Sequence, residues 1–181
     1  GEPAGDGRLV ARAVAERLLR ESLAQGTATS AAMNLRVLIG LCIIQLDSLN
    51  QEELQLTAES LLRQSEVGGF LISKAWGHLF LGRASYEAND LESAQFHFLA
   101  GAALHHIGNG TCIHECYASL ALTYAALGQW ERAAETATTL VEFDSNTVIN
   151  THPKMVHAAL EAFRAAGAAA RNAVRSVRSW S

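Results

Sequence analysis

Between Trp76 and Glu142 the chain nearly repeats itself, and this constrains the fold more than any other feature. Leu81, Asn89 and Ala94 recur 39 positions later (120 − 81, 128 − 89, 133 − 94) as Leu120, Gly128 and Ala133. A fixed period between about 20 and 50 residues marks stacked supersecondary units, none of which can bury its apolar face alone. Small residues at Gly82 and Ala121, and again at Ala94 and Ala133, let paired helices approach closely, while Leu81 and Leu120 fill the interface. Asn89 and Gly128 supply the left-handed backbone that a tight reversal demands. A fainter third copy falls on Ala159, Phe163 and Gly167, although Asn172 stands where Ala133 predicts a small residue.

The rest of the chain agrees with paired helices. Hydrophobic residues make up 49% and aromatics only 7%, which suits close helix packing better than a sandwich of β-branched and aromatic strands. Pro3 and Pro153 are the only prolines, so the middle is free of helix breakers. Apolar spacing predicts a first helix carrying Leu9 to Leu19 and a second starting at Thr29 or Ser30. A third follows, with Asn50 and Glu53 as a capping box. Helices from Phe70 to Ala88, Leu91 to Ile107, Thr111 to Leu127 and Trp130 to Phe143 come next, and Pro153 opens an eighth. Short loops force antiparallel neighbours. The expected fold is all-α: an α-solenoid of antiparallel helix pairs with about eight helices. Residues 1–7 are expected to be a linker or cloning remnant, and 8–181 one helical-repeat domain. Its units are clearest over 70–108 and 109–147 and weaker over 8–66 and 150–178.

The pattern of Gly82, Tyr86, Asn89 and Ala94, repeated as Ala121, Tyr124, Gly128 and Ala133, resembles the tetratricopeptide repeat (TPR). The longer unit, with its Leu104 to Asn109 ending, is similar to repeats of the large ATP-dependent LuxR-type (MalT-like) transcriptional regulators. The resemblance covers residues 70–143 well, 150–170 faintly, and 8–66 only as paired helices. It implies a TPR-like superhelix whose concave surface is lined by the first helix of each unit. On that surface it places Trp76, Leu79, Arg83, Tyr86 and Glu87, then Glu115, Ala118, Leu122, Ala125 and Ala126. The faint third copy adds Lys154, His157, Glu161 and Arg164. Arg83, Tyr86, Glu87, His157, Glu161 and Arg164 offer charge and an aromatic surface to a peptide or small effector; the plain alternative is a solvated wall, salt-bridged within itself. The family sets a nucleotide-binding module before its repeats and a DNA-binding helix-turn-helix after them. This sequence holds neither a Gly-x-x-x-x-Gly-Lys-Ser/Thr phosphate loop nor a clear recognition helix.

Other constellations weigh less. Cys112 and Cys116, one helical turn apart, could give two thiolates to zinc with His105 from the preceding helix, but such a pair on an Ala-rich helix is more simply core. Arg171, Arg175 and Arg178 form a basic stripe without aromatic interleaving, better suited to a solvated face than to phosphate. No nucleophile, base and orienter converge in the sequence, so no enzyme and no cofactor are expected. A net charge of −4 argues against nucleic-acid binding by bulk electrostatics, so DNA would be reached only through a flanking domain. Three cysteines and no long apolar run predict a cytoplasmic protein without membrane partners. The expected function is a non-catalytic interaction or sensor domain, a fragment of a multidomain bacterial transcription regulator, that binds a protein, peptide or small effector on its concave face. A stand-alone adaptor bridging proteins is the alternative, and after it a helical metal-binding protein using Cys112, Cys116 and His105. The oligomeric state is left open, a homodimer being one option.

Overall fold

The computed structural model describes residues 5–24, 30–107 and 110–146. Those residues form seven helices and no strands: α1 (Gly5–Ala24), α2 (Ala31–Asp47), α3 (Gln51–Gly68), α4 (Leu71–Glu87), α5 (Leu91–Ala102), α6 (Gly110–Ala126) and α7 (Trp130–Asn146). The all-α expectation holds. The eighth helix from Pro153, the faint third copy and the Arg171, Arg175 and Arg178 stripe lie outside the described residues. No described helix is long and apolar enough to cross a membrane.

Helix boundaries carry the repeat further than the side chains do. α4 begins 40 positions after α2 (71 − 31), and α5 begins 40 after α3 (91 − 51). α6 and α7 then follow at 39 (110 − 71, 130 − 91). The α2–α3 hairpin therefore has the same spacing as the two that follow it, and α1 stands ahead of it. Each hairpin turns on one left-handed residue: Leu49 (φ 55°), Asn89 (φ 59°) and Gly128 (φ 73°). The next amide donates five residues back each time, Asn50 to Gln45 O (3.1 Å), Asp90 to Ser85 O (2.9 Å) and Gln129 to Tyr124 O (2.8 Å). This double-bonded turn satisfies the last carbonyls of each leading helix. Leu49 hid the first copy, since a branched side chain there strains the backbone by about 1–2 kcal/mol.

Three local expectations change. Ser30 and Asp90 cap their helices, accepting from Met33 N (3.3 Å) and Ser93 N (3.2 Å), but Asn50 makes no side-chain cap. Its amide is already bound in the turn, and the Glu53 carboxylate faces Arg20 instead of reaching back. α5 stops at Ala102 rather than Ile107, because the chain tightens to three-residue bonds such as His105 N to Ala102 O (3.0 Å). Finally, α1 starts at Gly5, inside the stretch expected to be linker.

Successive helices pack side by side, and α4 also touches both α2 and α6. Among the described residues no α-carbon of α3 lies within 8 Å of one in α5, nor does one of α5 lie within 8 Å of one in α7. α2, α4 and α6 thus lie closer to one another than α3, α5 and α7 do. Two cores result. One, under α2 to α4, is built on Leu35, Leu38, Leu54, Leu61 and Phe80. The other, under α4 to α7, is built on Phe98 and Ile113 among small residues such as Ala75, Ala94, Cys112 and Cys116. Gly82 seats Phe98: a β-carbon there would lie 2.5 Å from the ring.

Candidate functional site

The expected concave-face residues divide on inspection. Arg83 on α4 donates to Glu115 on α6 at 2.9 Å, so two of them brace each other across the row of leading helices. Both are partly exposed, at 34% and 43%, and their interaction is a surface ion pair worth well under about 1 kcal/mol. Tyr86 is half-buried against the second core and Glu87 is exposed. Leu79, expected on the surface, is buried in that core, because it faces α5 and α6 rather than solvent. His157, Glu161 and Arg164 lie outside the described residues.

Trp76 has the most distinctive surroundings. It touches both cores and stacks on Phe80 with ring centroids 5.5 Å apart. Its other side lines an open hollow of about 520 Å³, set between the first halves of α2 and α4 and rimmed by the α3–α4 turn and Ile107. Ile39, Phe70, Leu71 and Ile72 make the wall apolar, with Arg36 and Ser73 as polar groups. Arg36 is the residue 40 positions before Trp76, so the two occupy equivalent places in consecutive units, as does Glu115 in the third. Extending the period backwards at 40 would have found Arg36. The missing small residues of the first unit concealed it.

A second, more polar hollow of about 380 Å³ lies over α3, α4 and α5, lined in part by Glu59, Asp90, Ser93 and His97. Beside it, His78 of α4 and His97 of α5 meet with their Nδ1 atoms 3.1 Å apart. One nitrogen must donate and the other accept, so this contact requires at least one neutral ring. Burial first, then the neighbouring His97 and Lys74, pushes the His78 pKa down to about 4. Burial also lowers that of His97, with Asp90 acting the other way. Sequence spacing missed His78, because nothing in a single helix pattern predicts which histidine crosses to a neighbour.

The cysteines behave as core. Cys42, Cys112 and Cys116 are fully buried, and burial raises the Cys42 thiol to about 12. Cys112 is also held protonated, first by its hydrogen bond with Cys116 and then by burial. His105 is exposed, and its Nδ1 lies 3.3 Å from the Ala102 carbonyl oxygen. Among the described residues no group of three His, Cys, Asp or Glu side chains is placed to hold a metal ion. No protein-family model, curated protein or solved structure matches the chain.

Proposed function

We propose that this chain is a non-catalytic α-solenoid, TPR-like in arrangement, that receives a partner or effector on the face made by α2, α4 and α6. The observation that carries this reading is the row itself. Leading helices that lie closer to one another than the trailing ones support a curved stack with the leading helices inside. The ligand-sized hollow at Trp76 opens on that row. Three hairpins of matched spacing support such a platform, and the variable side chains between the packing positions are free to set specificity. Arg36, Ile72 and Trp76 now lead that set, with Arg83 serving as a brace.

The further proposal that the stack belongs to a LuxR-type transcription regulator, working in the cytoplasm, rests on the resemblance of residues 70–143 alone. Reading the surrounding gene tests it: a phosphate-loop module upstream and a helix-turn-helix downstream are expected, and their absence would leave the stand-alone adaptor. The binding face is tested separately by panning a displayed random-peptide library on the immobilised chain. Recovered peptides should lose at least about tenfold in affinity on Ile72→Asp. Binders indifferent to that change would overturn the assignment of the face.

A further inference from the structure

The hollow between α2 and α4 carries more information than its position. At about 520 Å³ it falls within the range that accommodates small molecules. Its wall is dominated by Ile39, Phe70, Leu71, Ile72, Trp76 and Ile107, which favours an apolar ligand body and disfavours a polyhydroxylated or multiply charged one. Two polar groups stand out against that wall. Arg36 has no acidic partner and Ser73 no hydrogen-bonded partner among the described residues; Arg63 and Arg132 also lack an acidic partner, but of these three guanidinium groups only Arg36 lines the hollow. An exposed guanidinium at the rim of an open apolar hollow is complementary to one negative charge on an apolar body. The field of α4 has the same sign. Its first turn, Leu71 to Ser73, opens on the hollow and carries neither a side-chain cap nor an acidic residue.

We propose that this hollow binds a small amphipathic monoanion: one carboxylate on an aliphatic or aromatic tail of roughly eight to twelve carbons. Arg36 and Ser73 take the head, and Phe70, Ile72 and Trp76 hold the tail. This deepens the reading of the α2–α4–α6 row as the binding face and rests on it. A tail seated there touches α2, the α3–α4 turn and α4 at once, so occupancy ties the first unit to the second.

The test is titration calorimetry of the full chain with decanoate, 1-decanol and decyltrimethylammonium, all below their aggregation concentrations. Decanoate is expected to saturate one site, decanol to bind about fivefold or more weakly, and the cation more weakly still. Arg36→Met should bring decanoate to the level of decanol while leaving decanol unchanged. Arg36 is exposed, so the variant should keep its far-UV spectrum. Ile72→Asp should abolish decanoate binding. Absence of saturation, equal affinity for anion and cation, or indifference to Arg36→Met would each overturn the proposal. Peptide panning reads a different ligand on the same face, so the two failures are distinguishable. Loss of decanoate binding alone retires the anion and keeps the face, whereas loss of both retires the face.

Discussion

The α2–α3 and α4–α5 hairpins share a backbone and differ in how they fill it. Where α4 and α5 set Gly82 against Phe98, the first hairpin has Cys42 and Ala58 at the equivalent places, and α6–α7 has Ala121 and Ala137. All six are buried. Elsewhere the first hairpin compensates with bulk: Leu54 and Leu61 stand where the second has Ala94 and Gly101. The hairpin geometry is thus set by the turn, and individual buried positions are free to trade size. A repeat can be complete in space while its small-residue signature is absent from one copy.

That comparison can be broken most forcefully at Phe98, which is fully buried. Phe98→Ala should cost about 3–5 kcal/mol by denaturant unfolding, while Ala58→Gly at the matching site costs only about 1 kcal/mol. Comparable losses at both would show that the two layers are not filled differently. Next in size is the histidine pair, since Leu38 occupies the place of His78 in the first unit. The folded pKa of His78, about 4, lies below its ordinary value of 6.5. Between those values the unfolded chain therefore binds more protons than the folded one. Stability should be intact above about pH 6.5 and fall by on the order of 2 kcal/mol as pH drops towards 4. His78→Leu should flatten that slope, and an unchanged slope would mean that another group carries it.

Gly101 sharpens the comparison at one contact. A β-carbon there would sit 2.6 Å from Cys116 Sγ, so Gly101→Ala should cost about 1–2 kcal/mol. Cys116→Ala in the same chain should restore most of that loss; additive losses would place the strain elsewhere. The turns supply a smaller effect with the opposite sign. Leu49 is left-handed and 78% exposed, so its side chain gains little from burial. Leu49→Gly should raise stability by about 1 kcal/mol, whereas Gly128→Ala should lower it by a similar amount. Smallest of all, a double-mutant cycle on Arg83→Met and Glu115→Gln should find about 0.5 kcal/mol of coupling, shrinking with salt.

Much of the architecture was legible because it is local. Asn89, Gly128, Asp90 and the apolar spacing mark turns and helices through backbone sterics and capping, which act over a few residues. The first unit read only weakly because Leu49 takes a conformation its side chain disfavours, held by the turn hydrogen bonds and by the packing of α2 on α3 and α4. The candidate site was legible in part. Trp76 was named from its place in the repeat, but Arg36 was not. Arg83 was offered to a ligand, yet it faces Glu115.

What the sequence determined by itself was the all-helical class and the approximate placement of the described helices, since these follow from periodicity and turn chemistry carried in neighbouring residues. Tertiary structure decided which polar groups meet. His78 finds His97, Arg83 finds Glu115, and Arg36 is left beside an apolar hollow with Trp76. Each of these depends on the relative rotation of two helices, and that rotation is fixed by the packing of side chains from different units. No single helix pattern encodes it.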